Sequence, residues 1–318
     1  IRDRLRPGAM TYTVPVLLIV FNRPECTARV IAVLSALQPQ KLYVACDGPR
    51  SDRPGEVERC QAVRQLISSG DHGAISWPCE LHTLLREQNL GCRVAVSGAL
   101  DWFFAQEEEG IVLEDDILPD PSFFPYCQEL LERYRYDNRI GVIAANNHQR
   151  NPPLDGSSYR FSLYSHCWGW ASWRRAWCFY DRHLSSWPAF RDAGWLEQIG
   201  GMEFARLWGG WLERLAAGQI DTWDMIWQFS CWQQGFLTVI PAEELVENIG
   251  FDTDATHTLD ECSPLGRRGR LSFPLVHPTV ILADRLRDAD TFRRLYRRGR
   301  WTELVRKARK GLRLMGLR

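Results

Sequence analysis

Short apolar runs alternate with segments of helical period through the first half of the chain. Val16-Leu17-Leu18-Ile19-Val20-Phe21 is apolar at every position. A strand with one wet face would alternate, so this one is expected to be covered on both faces. Asn22-Arg23-Pro24 ends it, and proline suits the first turn of a helix, where its missing N–H has no partner in any case. Cys26, Val30, Val33, Leu34 and Leu37 then recur at helical spacing.

The alternation repeats downstream. Leu42 to Cys46 predicts a second buried strand, closing at Asp47-Gly48-Pro49, and a helix follows from about Gly55 to Ser69. Leu81 to Leu85 predicts a third strand; Val94, Gly98, Trp102 and Phe103 mark the face of the next helix. Ile111 to Leu113 predicts a fourth strand, ending at Glu114-Asp115-Asp116. A helix from about Ser122 to Arg135 and a strand from Ile140 to Ala145 complete the series. Repeated strand–helix units imply an α/β fold with a mostly parallel sheet, helices on both faces and right-handed crossovers.

The second half breaks this rhythm. Eleven of the 14 tryptophans lie between Trp168 and Trp232. The clustering predicts a mainly helical half in which most rings are core and two or three line a cleft. The expected organisation is 1–9 as extraneous or leader residues before Met10, 10–150 as the strand–helix half, 151–284 as the tryptophan-rich half and 285–318 as a basic helical tail.

Composition adds limits. The chain has 318 residues, 45% hydrophobic and 25% charged, as expected for a folded protein with a core. Its formal net charge is zero, which argues against a nucleic-acid partner. The charge is uneven: Arg285 to Arg318 holds 13 Lys/Arg against 3 Asp/Glu, leaving 26 against 36 elsewhere. That tail reads either as a solvated helix or as a contact with anionic lipid or a polyanionic partner. None of the ten cysteines forms a C-x-x-C pair, which excludes a zinc ribbon. Cys26, Cys46, Cys127 and Cys231 sit in apolar runs, as small buried side chains of a reducing, cytoplasmic compartment do. Val14 to Phe21 is too short to cross a bilayer.

Candidate chemistry gathers where strands end. In open parallel sheets, ligands bind beyond the carboxyl ends of the strands. Asn22-Arg23, Asp47 and Glu114-Asp115-Asp116 all fall there. Three adjacent carboxylates repel one another without a cation, and oxygen-only ligands suit Mg²⁺ or Mn²⁺; the other reading of the triplet is a solvated acidic turn. Such an ion bridges phosphates and offsets charge on a departing nucleoside diphosphate. Asp47 reads as an acceptor for a nucleobase N–H or as a turn former. Arg23 reads as a fork for a base or phosphate, or as a surface arginine. Arg93, in Asn89-Leu90-Gly91-Cys92-Arg93, reads as a donor-site cation or as part of an ordinary loop. Asp224, in Asp221-Thr222-Trp223-Asp224, reads as a general base or as part of a helix cap. His257 reads as a diphosphate or metal contact, or as structural. Trp168 and Trp170 read as stacking surfaces for an acceptor sugar or as core.

VPVLLIVFNRP, VACDG, GIVLEDDILPDPSFF, YRFSLYSHCWGWASW and DTWDMIW occur in that order across about 240 residues. In this the chain resembles the GT-A fold of alpha-mannoside beta-1,2-N-acetylglucosaminyltransferase I and its bacterial relatives. The EDD followed by proline and two phenylalanines is the most specific landmark. The resemblance implies an inverting glycosyltransferase using a UDP-sugar. It implies that Asp116 ligates Mn²⁺, that Glu114 and Asp115 position sugar and ribose, that Asp47 binds uracil, that Arg23 contacts the nucleotide, and that Asp224 is the base. Bacterial relatives often serve surface-polysaccharide pathways, so the expected acceptor is a glycan, a lipid-linked or another small molecule. The expected place is cytoplasmic, with peripheral contact at the inner membrane face. The region after Asp224 departs from the animal enzymes. Competing readings are a metal-dependent phosphoesterase or nucleotidyltransferase, and a non-catalytic nucleotide-sugar binder.

Overall fold

The computed structural model describes residues 12–68, 73–149, 155–250 and 268–297. The first half runs β1 (Val16–Val20), α1 (Pro24–Leu37), β2 (Lys41–Cys46), α2 (Glu56–Leu66), β3 (Glu80–Leu85), α3 (Gly91–Gln106), β4 (Glu109–Glu114), β5 (Ile117–Pro119), α4 (Phe123–Tyr134) and β6 (Ile140–Ala144). The second half adds β7 (Tyr159–Ser162), β8 (Trp170–Trp173), α5 (Arg174–Trp177), α6 (Trp187–Asp192), α7 (Trp195–Ala216), α8 (Asp224–Gln234), β9 (Leu237–Pro241), β10 (Val246–Asn248) and α9 (Arg285–Thr291).

Among the described residues the main sheet has eight strands in the order β3-β2-β1-β4-β8-β6-β9-β7. β3, β2, β1 and β4 are mutually parallel, and β6 and β9 are parallel to each other. β8 is antiparallel to β4 and β6, and β7 closes the far side antiparallel to β9. A separate antiparallel pair joins β5 to β10.

The apolar run of β1 divides between two cores, as a strand covered on both faces must. Val16 and Leu18 pack with residues of α1, α2 and α4, whereas Leu17 packs with α3, α5 and α8. All three residues are fully buried, each worth about 1.5–3 kcal/mol of transfer free energy. A third cluster joins α6, α7 and α8 around Trp187, Trp208 and Leu212.

One expectation is extended and another corrected. The second half is mainly helical through α6, α7 and α8, and it also contributes β7, β8 and β9 to the sheet begun by the first half. Those strands have four or five residues and are almost wholly buried, too short to display a period. The basic tail is not simply solvated where it is described. The Asp284 side chain caps α9 by accepting the Arg287 N–H at 3.1 Å. Buried Asp288 accepts from Ser162 Oγ at 2.6 Å and from the Leu163 N–H at 2.9 Å, pinning α9 to β7. A wide turn of π type, Phe292–Arg297, then inserts Tyr296 against Tyr164 and Trp208. His257 and residues 298–318 lie outside the described residues. Among the described residues no helix is long and apolar enough to cross a membrane.

Candidate functional site

Two clefts open above the carboxyl ends of the strands and share Glu114 and Cys92. The first, ≈ 280 Å³, has the ends of β1 and β2 as its floor, and Arg23, Asp47, Arg50, Arg86, Glu114 and Asp115 among its walls. The parallel strands deliver Asn22-Arg23, Asp47, Arg86 and Glu114 to one edge because β1, β2, β3 and β4 all end there.

Asp47 is buried and takes the Leu90 N–H on both oxygens, at 3.2 and 3.0 Å. Burial raises its pKa, against the pull of that N–H and of the Arg86 charge. Arg86 is half-buried beside it, and burial lowers its pKa against the Asp47 charge. Arg50 lies over the Phe21 ring at 5.5 Å and is gripped by Glu56, whose oxygens accept its Nε at 3.0 and 3.1 Å. Glu56 is fully buried. Burial pushes its pKa up, but Arg50 outweighs this and the net shift is downward.

The acidic triplet is tightly held. Asp115 accepts the Phe21 N–H at 3.0 Å. The Arg23 guanidinium donates to Asp116 Oδ2 at 2.7 Å and reaches Asp115 Oδ1 at 3.5 Å. Burial, then the neighbouring Asp116, pushes Asp115 up to about 7 despite Arg23. Glu114 is raised well above the usual carboxylate range, by burial first and then by Asp116 and Asp115. Burial also raises Asp116, with Arg23 opposing. Such a group attracts further positive charge.

Among the described residues no three His, Cys, Asp or Glu side chains converge as a ready-made metal cage. The donors at hand are carboxylate oxygens, which suit a hard cation that takes its other ligands from a diphosphate and water. Gly250 leaves room for this: a Cβ there would stand 2.3 Å from Asp116 Oδ2. The residues therefore fit a hard cation whose coordination is completed by oxygen ligands from outside the protein.

The second cleft, ≈ 520 Å³, holds Asp224, His148, His166, Trp168 and Tyr296 beside the shared Glu114. Asp224 is the first residue of α8, and Thr222 Oγ1 donates to its Oδ1. Trp223, buried against Trp170 and Trp177, fixes the start of that helix.

No protein-family model and no curated protein matches the chain. Among solved structures it is similar to one provisionally named a glucose-1-phosphate thymidylyltransferase, from Bacillus anthracis, in complex with sucrose. The two are 8% identical, the match covers 54% of this chain and 76% of that one, and the TM-score is 0.31. A likeness this slight carries no functional argument, which rests instead on the geometry of the clefts.

That geometry gathers Arg23, Asp47, Glu114 and Asp115 in the first cleft, with Asp116 joined to them through Arg23. Asp224 and Trp168 fall in the second. Two expected site residues are corrected. The Arg93 guanidinium lines neither cleft, donating instead to Leu215 O at 3.1 Å and to Arg182 O. These bonds tie α3 to the end of α7 and to the segment between α5 and α6, a structural role. Trp170 is 1% exposed, stacked on Trp223 and close to Trp227, so its ring has no face for a sugar. Arg50, Arg86, His148 and His166 were not anticipated. Arg86 directly follows β3, and Arg50 and His148 each lie four residues beyond a strand end, of β2 and β6, so the strand-end rule already used for Asp47 extends to these three. His166 carries no such signal.

Proposed function

We propose that the protein is a divalent-metal-dependent glycosyltransferase that moves a sugar from a nucleotide-sugar, a UDP-sugar foremost, to an acceptor hydroxyl with inversion. The observation that carries this reading is the meeting of two clefts at Glu114, one rich in arginines and carboxylates and the other presenting Asp224. A donor seated in the first cleft would place its sugar at the junction. An acceptor hydroxyl in the second would stand between Asp224 and that sugar.

Each residue then has a task. Asp47 accepts an N–H from the nucleobase, and Arg86 supplies donors for its carbonyls. Arg23 and Arg50 meet the diphosphate. Asp116, with Asp115 beside it, would hold Mn²⁺ or Mg²⁺, which when bound supplies positive charge against the diphosphate as it leaves. Asp224 takes the acceptor proton as the oxygen attacks the anomeric carbon and the bond to the diphosphate oxygen breaks. Glu114, at the junction, orients the sugar hydroxyls.

Thermal shift with UDP tests the binding half. UDP with Mn²⁺ should raise the melting temperature by about 5 °C. EDTA, or Asp116→Ala, should remove most of that gain. An equal shift under all three conditions would take the metal out of the account, and no shift with UDP under any condition would take the nucleotide out.

A further inference from the structure

We infer that the inner wall of the second cleft, where His148, His166, Asn146 and Trp168 come together, is a binding subsite for an uncharged, hydroxyl-rich sugar ring and discriminates against anionic rings. The inference rests on the transfer reading above and specifies which acceptor chemistry the cleft receives.

Asn146 and His148 lie just beyond β6, and His166 and Trp168 lie between β7 and β8. The two imidazoles meet edge to face with centroids 4.4 Å apart, and Trp168 meets His148 at 5.7 Å. His148 holds a φ of 53°, a left-handed conformation uncommon outside glycine. Two contacts fix it there. Glu244 Oε2 accepts the His148 N–H at 3.2 Å, and Asn146 Nδ2 donates to His148 Nε2 at 2.6 Å. That second bond leaves the ring proton on Nδ1.

His148 Nδ1, His166 Nε2 and Asn146 Oδ1 have no hydrogen-bond partner among the described residues. Buried polar atoms are nearly always paired, and strained residues persist where the surroundings over-determine them. Here strain, a buried supporting carboxylate and three unpaired atoms coincide in side chains that line one cleft. A hydroxyl both donates and accepts, so sugar hydroxyls match a set containing ring nitrogens and an amide oxygen. Trp168 supplies apolar surface for the C–H side of a ring.

Charge separates this wall from the nucleotide cleft. The first cleft is lined by Arg23, Arg50 and Arg86. The second is lined by Glu114 and Asp224, and among the described residues no Lys or Arg lines it. Burial keeps the imidazoles uncharged. It lowers His148 to about 4, and holds His166 well below its ordinary range, with the Arg160 charge adding to both shifts. An anionic ring would find no Lys or Arg to pair with among the described residues of this wall, and acidic side chains beside it.

Saturation-transfer NMR on the full chain, with UDP and Mn²⁺ present, tests this. The probes are the methyl glycosides of glucose, galactose and mannose, against glucuronate and galacturonate. At least one methyl glycoside should bind, and both uronates should bind about fivefold more weakly or worse. His148→Asn, which tolerates the left-handed backbone, should weaken glycoside binding about fivefold while the UDP thermal shift stays as in wild type. His166→Leu is the second arm, because it removes ring nitrogens without touching the strained backbone, so misfolding of the first variant leaves the test intact. Glycosides that fail to bind, bind equally after both substitutions, or bind no better than the uronates would overturn the inference. Failure here with UDP release intact would leave the transfer reading standing. Glycoside binding without any reaction of a UDP-sugar would do the reverse.

Discussion

Glu244 is a buried carboxylate with two backbone N–H donors, from Asn147 at 3.1 Å and His148 at 3.2 Å, while its Oε1 has no partner among the described residues. Burial pushes it up to about 7 against those donors. The unfolded chain gives up this proton near the ordinary glutamate value, whereas the folded chain keeps it until about 7. Its contribution is therefore complete at low pH and lost as pH rises to about 7, by roughly 3 kcal/mol. Glu244→Gln removes the titration but keeps an oxygen for the N–H groups. Urea unfolding should show the variant gaining on wild type between pH 5 and pH 8, roughly the span of that shift. A difference that stays flat across this range would mean Glu244 is ionised in the folded protein. Little of this was legible in the sequence. Glu244 lies in a polar Glu-Glu pair, and its burial follows from the sheet that β9 completes beside β6, which no local pattern announces.

At the scale of elements, α3 shows how the two clefts are joined. The Leu90 N–H goes to Asp47, the Gly91 N–H to Asn89 Oδ1 at 3.2 Å, and the Cys92 and Arg93 N–H groups to Asp221 at 2.9 and 3.0 Å. Side chains thus satisfy the N–H groups that a helix start leaves unpaired. Asp221 also ties the segment before Asp224 to the first cleft, which it lines. Gly91 permits this contact twice over: its φ is +76°, and a Cβ would stand 2.6 Å from Asp221 Oδ2. Gly91→Ala should destabilise the fold by about 2 kcal/mol in urea unfolding. A loss below about 0.5 kcal/mol would show that this contact adjusts freely. Of the strands around α3, β1 and β2 were legible because their apolar runs are long enough to read as covered on both faces, and β4 because its short apolar run stops at the acidic triplet. β7 and β8 were not, because four residues give no period and the tryptophans of β8 suit a helix equally.

The whole molecule sets two chemistries side by side on one sheet. Parallel strands β1 to β4 bring arginines and carboxylates to one cleft, and insertion of antiparallel β8 carries the chain across to a cleft with Asp224, paired imidazoles and aromatic walls. The first cleft could be foreseen because strand ends mark it locally. Most of the second could not, since its walls come from β6, the β7–β8 link, α7, α8 and the turn after α9. The described part of the tail is a wall of that cleft through Tyr296, a role its basic composition does not suggest. The account stands or falls on which bond of a nucleotide-sugar breaks. ³¹P NMR of UDP-hexoses incubated with the protein and Mn²⁺ reads this directly. Sugar transfer, to acceptor or slowly to water, releases UDP, and Asp224→Asn should slow that release by about 100-fold or more. Appearance of UMP with a sugar 1-phosphate, or of inorganic phosphate, would place the cleavage at phosphorus and contradict a glycosyl transfer.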